Sequence, residues 1–288
     1  FNPVFMIKNI LFVFLKNKLS LIKFFKNLSS QYILSTLFEE QFKKNVKIKN
    51  IKNLLMPYEG QLFQKKIIKT VKFFSPNSKI VGYDHTAPQP LPINLFCDKN
   101  SPDLLLVGSR NKMNFHTKFL NWKKKSLKIK NSYRFKKDQA TFSSKIYLPY
   151  IIEDTKKYLK KLTYLLDYLK LRDFSKFEIR NHPAKLNSKK NINLIKEIDK
   201  LKNKKKEKFN KNICIFLGQT TAIPLALENN LTCYSICLDK NFGFYNPKFW
   251  KGLKLNRLKK DIYEYKLIKK NTFLKITNKF ENLNTIKL

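Results

Sequence analysis

A short basic loop in the second half of the chain carries residue types that suit phosphate binding. Arg180, Asn181 and His182 come directly after a predicted strand, and Pro183 follows them. Because proline disfavours helical geometry in the residue before it, we expect His182 to stay extended on a loop. An imidazole in that position can donate to a phosphate oxygen, and Arg180 supplies a cation beside it. The plain alternative is a loop histidine before a turn-forming proline.

A second segment of the same half runs from a predicted strand into a predicted helix. Gly218 permits a tight turn, and Thr220 or Thr221 can cap the helix that follows. The free N–H groups and the dipole of a helix start attract anions, although a routine helix cap explains the same residues. Glu228 ends this helix, where it can accept hydrogen bonds from ribose hydroxyls or remain a solvated carboxylate.

Candidate acid–base residues lie in the first half, after two neighbouring predicted strands. Glu59 precedes Gly60, and His85 follows Asp84. A carboxylate or a histidine at a strand end can take the proton of an attacking hydroxyl, which makes Glu59 and His85 the candidate catalytic residues. Glu59 can equally cap the next helix, and His85 can be a loop residue bonded to its own turn. Asp84 can orient His85, although adjacent residues in an extended segment point apart.

The elements that must position these residues alternate short apolar runs with longer helical periodicity, which predicts βαβ units and parallel sheets. Ligands of such sheets bind beyond the carboxyl ends of the strands. A polar, basic stretch over 121–141 separates two series of units, so we predict the α/β class with two Rossmann-like lobes, at 1–130 and 131–288. The predicted strands cover 53–57, 79–83, 103–107, 145–150, 177–180, 212–217 and 231–238, and the predicted helices cover 61–74, 151–170, 192–202 and 221–228, with a closing helix from residue 254.

Several catalytic signatures are missing from the sequence. It has no GxGxxG, Walker A, GxSxG or HExxH motif, and no DxD-type pair in a loop. This disfavours dehydrogenases, P-loop NTPases, serine hydrolases, zinc proteases and metal-dependent GT-A transferases. We therefore predict no metal and no cofactor.

The second half resembles the donor-binding lobe of GT-B glycosyltransferases in the order of its predicted elements and motifs. That order is a strand, the His-Pro loop, a helix, a strand, the turn with Gly and the Thr-Thr pair, a helix that ends in Glu, and a last strand. The resemblance is to bacterial sialyltransferases, Kdo transferases and capsule-synthesis enzymes in particular. In those enzymes a His-Pro motif and a later Ser/Thr pair at a helix start bind the nucleotide's phosphate. The resemblance implies phosphate contacts from His182, Thr220 and Thr221, and a ribose contact from Glu228.

A second resemblance begins in the first half. Residues 58–64 read Tyr-Glu-Gly-Gln-Leu-Phe-Gln and are similar to the YEGQPWE signature of a family of surface carbohydrate (O-antigen) biosynthesis proteins. Residues 82–85 read Gly-Tyr-Asp-His and match that family's GYxH pattern. The sequence departs from the signature at 62–64, where Gln64 stands in place of the family's second Glu. The resemblance extends over about 54–236.

Charge and composition constrain the partners. Sixty Lys and Arg against twenty Asp and Glu leave a net charge of +40. Clustered cations would favour nucleic acid, through counterion release, or an anionic membrane. The lysines are instead spread along the chain with one dense run over 202–208, as expected from the compositional bias of an AT-rich gene. We predict no specific nucleic-acid partner and leave open a peripheral contact with the inner face of a membrane.

Cysteine usage and the amino-terminal stretch bear on localisation. The four cysteines form no CxxC pair, which favours reduced cysteines in a cytoplasmic protein over a metal site. The apolar stretch over 3–25 is interrupted by four lysines, leaving runs too short to span a membrane, and we expect a lobe helix there. Because residue 1 is Phe, we expect an internal fragment or a truncated product with an incomplete amino-terminal lobe.

These features together predict a cytoplasmic, metal-independent, inverting GT-B glycosyltransferase. It would transfer a sugar, with CMP-linked acidic sugars among the candidates, to a glycan or lipid-linked glycan acceptor in bacterial surface polysaccharide biosynthesis. The alternatives are a non-catalytic GT-B-like module of a polysaccharide assembly complex and a basic nucleic-acid-binding protein. The 288 residues, of which 43% are hydrophobic, are ample for a packed core.

Overall fold

The computed structural model describes residues 30–46, 50–84, 86–132, 134–135, 142, 144–149, 152, 154–171, 177–182, 185–186, 188–201, 212–218, 220–238 and 245–277. Four features named above lie outside these residues: His85, the Pro183 that follows His182, the stretch over 3–25 and the lysine run over 202–208. Within the described part of the chain, no helix is both long enough and apolar enough to cross a membrane.

The described elements of the first half are α1 (Ser30–Val46), β1 (Asn53–Pro57), α2 (Leu62–Phe74), β2 (Lys79–Tyr83), β3 (Leu104–Val107), α3 (Arg110–Phe119) and β4 (Leu127–Ile129). These strands form a fully parallel sheet in the order β1-β2-β3-β4. The helices begin where the sequence supplies an apolar face or a cap: α2 buries Ile67, Ile68 and Val71, and the Ser109 hydroxyl accepts from the Lys112 N–H at the start of α3.

The described elements of the second half are β5 (Lys145–Tyr147), α4 (Thr155–Tyr168), β6 (Glu178–Arg180), α5 (Lys189–Leu201), β7 (Ile213–Leu217), α6 (Ala222–Glu228), β8 (Thr232–Ile236), β9 (Leu253–Lys259) and β10 (Ile262–Leu267). These strands form a mixed sheet in the order β6-β5-β7-β8-β10-β9. Strands β5 to β8 are parallel, and β10 runs antiparallel to both β8 and β9. The α/β class predicted from the sequence is therefore confirmed, with one parallel and one mixed sheet.

Several sequence expectations differ from these elements. The closing helix expected from residue 254 is wrong, because that segment is the β9–β10 hairpin, which turns at Asp261 with a φ of 68°. Pairing with β8 buries Ile262, Glu264 and Tyr265, and this long-range contact overrides the weak helical period of the segment.

Other differences concern single elements. Strand β4 lies inside the stretch over 121–141 that was expected to be irregular, and helices α1 and α3 were not predicted at all. The strands predicted over 145–150 and 231–238 are shorter than expected.

One hydrophobic core cluster extends across both sheets, and a second lies within the second half. The Phe115 ring of α3 stacks on Trp250 of the second half, with centroids 5.4 Å apart and planes 9° apart. The segment 271–277 then returns to the first sheet, where the Lys275 N–H donates to the Gly108 carbonyl and the Ser109 hydroxyl donates to the Thr272 carbonyl. The proposed boundary at 130/131 cuts no element, yet residues beyond it complete the packing of the first sheet.

Candidate functional site

A cavity of about 550 Å³ lies where the carboxyl ends of strands from both sheets meet. The first sheet contributes residues that follow β1 and β2, and the second contributes residues that follow β5, β6 and β7. Five residues singled out from the sequence line it together: Glu59, Arg180, His182, Thr220 and Thr221. The two halves of the chain thus bring a carboxylate and a group of cationic and hydroxyl side chains to one cavity.

A rigid turn presents Glu59 after β1. Gly60 has a φ of +72°, and a Cβ there would collide with the Asn94 carbonyl, so this position needs glycine. The Gln64 side chain holds the turn: its Oε1 accepts from the N–H groups of Glu59 (2.9 Å) and Gln61 (3.0 Å), and its Nε2 donates to the Pro57 carbonyl (3.0 Å). Gln64, which departs from the family signature, thus makes a donor contact that an ionised glutamate cannot make.

The geometry also bears on the alternative interpretation of Glu59 as a helix cap. The N-cap residue of α2 is Gln61, and Gln64 accepts its backbone N–H. The Glu59 carboxylate instead accepts from the Gln61 side-chain amide at 2.7 Å. Glu59 is therefore held at the cavity by the turn and is not the capping residue of the helix.

The loop after β6 is organised by a residue that the sequence did not assign a role. Asn181 Oδ1 accepts from the His182 N–H at 2.9 Å and from the Asn191 side chain at 2.6 Å, and its Nδ2 donates to the Lys185 carbonyl at 3.0 Å. Arg180 beside it pairs with Glu178 through Nε at 2.8 Å and stays half exposed. The sequence offered a signal for this role of Asn181, since asparagine side chains in turns often hydrogen-bond to nearby backbone groups.

The turn after β7 places two threonines at the cavity. The Thr220 hydroxyl accepts from the Ala222 N–H at 3.2 Å and so caps the start of α6. Thr221 is the N-cap residue of α6 but has helical dihedrals and makes no side-chain cap hydrogen bond. Gly218 does not line the cavity; with a φ of +82° it allows β7 to turn close against Pro149, where a Cβ would lie 2.7 Å from that ring.

Glu228 lies away from this cavity, and the predicted ribose contact does not fit its geometry. Its carboxylate accepts from the backbone N–H groups of Asn271 (2.8 Å), Phe273 (2.6 Å) and Leu274 (3.3 Å). Burial raises the pKa of Glu228, while these backbone donors act in the opposite direction. The residue ties the returning segment 271–274 to the end of α6, which is a structural role.

The structure adds a buried ion pair that the sequence did not predict. Asp84 Oδ2 and Lys112 Nζ are 2.5 Å apart, with side chains 0% and 1% exposed, and both residues border the cavity. Lys112 Nζ also donates to the Thr86 carbonyl at 3.2 Å. Asp84, considered above as an orienting group for His85, is paired with Lys112. Because α3 was not predicted, nothing in the sequence pointed to Lys112.

His116 lies behind this pair in the core. Its Nδ1 is 2.7 Å from the Lys112 carbonyl, and its ring is fully buried beside Trp122. Burial lowers the pKa of His116 to about 4, with the Asp84 charge acting against the shift and the Lys112 charge adding to it. The imidazole is therefore neutral at physiological pH and does not add a charge to the region.

The charges around the cavity are unequal on its two sides. Asp84 and Lys112 neutralise each other, which leaves Glu59 on the first-sheet side. The other lining residues include Arg134 and Arg180, and the charge of Arg180 is partly offset by Glu178. An anionic ligand group is accordingly favoured near the loop after β6, away from Glu59. Across the residues that the structure describes, no three His, Cys, Asp or Glu side chains are placed to hold a metal ion.

Comparisons of the chain with protein-family models, with curated proteins and with solved structures give no match. The functional interpretation of the cavity therefore rests on its residues, their spacing and their chemistry.

Proposed function

We propose that this chain is a metal-independent, inverting glycosyltransferase of the GT-B type, with the two sheets as its two Rossmann-like lobes. It would transfer a sugar from a nucleotide-sugar, with CMP-linked sugars among the candidates, to a glycan or lipid-linked glycan acceptor in surface polysaccharide biosynthesis. The proposed setting is the cytoplasm, with peripheral contact at the inner membrane face. One observation carries the proposal: Glu59 lines the same cavity as Arg180, His182, Thr220 and Thr221.

The chemistry follows from the two sides of the cavity. On the second-sheet side, Arg180, His182 and the two threonine hydroxyls donate hydrogen bonds to the phosphate as negative charge develops on it. On the first-sheet side, Glu59 accepts the proton of the acceptor hydroxyl as that oxygen attacks the anomeric carbon. Base and leaving phosphate then lie on opposite sides of the sugar, which is the arrangement that inversion requires.

Calorimetry with CMP, UDP and GDP, followed by hydrolysis or transfer assays with the matching nucleotide-sugars, tests the proposal. We expect His182→Ala to weaken binding of the preferred nucleotide at least about tenfold, as loss of a charge-assisted phosphate contact would. Glu59→Gln should leave nucleotide affinity nearly unchanged and slow transfer at least about a hundredfold, since the base acts only on the acceptor.

The control for the cationic side is Arg257→Ala, which removes an exposed arginine of β9 that does not line the cavity. Arg180→Ala should weaken nucleotide binding and Arg257→Ala should not. Absence of nucleotide binding to the wild-type chain, or unchanged turnover in both the His182 and Glu59 variants, would remove the proposal.

One observation favours the alternative of a non-catalytic module, and the assays above also test that alternative. Gln64 stands where the similar family has a second acid, and its side-chain amide is hydrogen-bonded to the backbone of the turn. A non-catalytic module would bind the nucleotide with the same dependence on His182 and would neither hydrolyse nor transfer the sugar. Binding without turnover of any donor tested would therefore select this alternative.

A further inference from the structure

One wall of the cavity is a proline-rich loop with few backbone N–H donors of its own. Residues 86–95, called the 86–95 wall below, include Pro88, Pro90 and Pro92, which have no N–H to donate. Seven residues of this wall line the cavity. Because buried carbonyls need donors, the wall depends on side chains from other elements to keep one conformation.

Tyr245 supplies one of these donors from the opposite half of the chain. Its hydroxyl donates to the Pro88 carbonyl at 2.8 Å, across 157 residues of sequence, and the residue is fully buried without lining the cavity. Burial raises the pKa of Tyr245, so the hydroxyl stays protonated and remains a donor. Its ring packs edge-on against Phe273 and Trp250, which fixes the direction of the hydroxyl.

Lys112 supplies a second donor from α3. Its ammonium group donates to the Thr86 carbonyl and is neutralised by Asp84, and both side chains are almost completely excluded from solvent. Trp122 completes the set by donating its indole N–H to the Leu95 carbonyl at 2.8 Å. The wall is thus held near its start, middle and end by three side chains.

We propose that Tyr245 and Lys112 are positioning residues that hold the 86–95 wall in the conformation the ligand meets. Tyr245 is the more informative of the two, because it acts on the cavity from the carboxyl-terminal half without touching its contents. The inference about the wall rests on the cavity alone, and only its effect on ligand affinity rests on the proposed function.

Tyr245→Phe tests the inference by removing only the hydroxyl. The matched control is Tyr234→Phe, which removes a buried hydroxyl that donates to Glu264 at 3.0 Å, away from the cavity. Amide hydrogen exchange of peptides over 86–95 should be at least about fivefold faster in Tyr245→Phe than in wild type, and unchanged in Tyr234→Phe. Equal exchange of these peptides in the two variants would overturn the role of Tyr245.

The ion pair needs a paired substitution, because removing one partner leaves a buried charge. Lys112→Met alone should melt at a markedly lower temperature, whereas Asp84→Asn with Lys112→Met should recover much of that loss. The double variant should still exchange faster than wild type over 86–95, since the Thr86 carbonyl has lost its donor. Wild-type exchange in the double variant would overturn the role of Lys112. If the double variant fails to fold, Lys112→Arg is the test, because arginine keeps a cationic donor at this position. Exchange over 86–95 near the wild-type rate in Lys112→Arg supports the role of Lys112, and exchange as fast as in Lys112→Met would overturn it.

The affinity for a ligand distinguishes a positioning role of Tyr245 from a purely structural one, because a purely structural role would leave the affinity unchanged. For whichever of CMP, UDP and GDP binds the wild-type chain, the dissociation constant should rise at least about fivefold in Tyr245→Phe and stay within about twofold in Tyr234→Phe. Faster exchange with unchanged affinity would overturn the positioning role toward the ligand. If no nucleotide binds the wild type, the proposed function fails, and the exchange comparison still decides whether Tyr245 holds the wall.

Discussion

At the residue scale, the Glu59 turn shows how one substitution changes what a signature does. A glutamine at position 64 is both an acceptor for two backbone N–H groups and a donor to the Pro57 carbonyl, and these three contacts hold Glu59 at the cavity. A second carboxylate would keep the acceptor contacts and lose the donor. The departure from the family signature is therefore compatible with a working turn and removes only the second acid.

Gln64→Glu should accordingly lower the free energy of unfolding at pH 7 by about 1–2 kcal/mol, because the Pro57 carbonyl loses its donor and a second negative charge lies near Glu59. Urea denaturation measures this change. Gln41→Glu on the exposed face of α1 is the control and should change the free energy of unfolding by less than about 0.5 kcal/mol. Equal stability of the two variants would show that the donor contact of Gln64 contributes little.

His116 gives the chain a specific sensitivity to acid. Its pKa is lowered by burial to about 4, from 6.5 in the unfolded chain, so between these values the unfolded state binds more protons than the folded state. Protonation linked to His116 should thus lower the free energy of unfolding by about 3 kcal/mol as the pH drops from 6.5 to 4. Above pH 6.5, His116 should have little effect on the free energy of unfolding.

The measurement is urea denaturation of wild type and His116→Gln at several pH values between 4 and 7. Gln cannot gain the charge, so the curve of stability against pH should be flatter for the variant in this window, whatever its stability at pH 7. Parallel curves for the two proteins would contradict the assignment to His116.

At the element scale, the returning segment 271–274 depends on one carboxylate. Glu228 accepts three backbone N–H groups that no strand or helix satisfies. Glu228→Ala should lower the free energy of unfolding by about 3 kcal/mol, since buried donors are left without an acceptor. Chemical denaturation tests this, with Glu197→Ala on the exposed face of α5 as a control expected to change stability by less than about 0.5 kcal/mol. A similar, small change in both variants would mean that the segment finds other acceptors.

The elements themselves show where sequence patterns were sufficient. The strands over 53–57 and 79–83 have the bounds expected from their short apolar runs, and the helix over 61–74 begins one residue later than predicted. The β9–β10 hairpin was mistaken for a helix because its strands are rich in lysine and its burial comes from β8, far away in sequence. Helix α3 was missed because its buried face includes Lys112 and His116, which do not register as an apolar stripe.

At the scale of the whole molecule, the shared core predicts that both halves unfold together. Phe115 stacks on Trp250, and the segment 271–277 bonds to Gly108 and Ser109 of the first half. The two tryptophans report on different places, since Trp122 contacts Tyr58 within the first half and Trp250 contacts both Phe115 of the first half and Phe273 of the second. In Trp122→Phe and in Trp250→Phe, the fluorescence midpoint in urea should therefore coincide with the circular dichroism midpoint of the same variant. Separated midpoints in either variant would mean that the halves unfold independently.

The sequence by itself determined the α/β class, the carboxyl ends of β1, β2, β3, β6 and β7, and the polar loops that follow them, because periodicity and strand-end residues are local properties. On that basis Glu59, Arg180, His182, Thr220 and Thr221 could be named in advance. The tertiary structure alone decided that these residues share a cavity, that Glu228 serves the backbone of 271–274, and that Tyr245 and Lys112 support the 86–95 wall. Those outcomes depend on contacts between residues far apart in the chain, and no local pattern encodes which distant donor meets a given carbonyl.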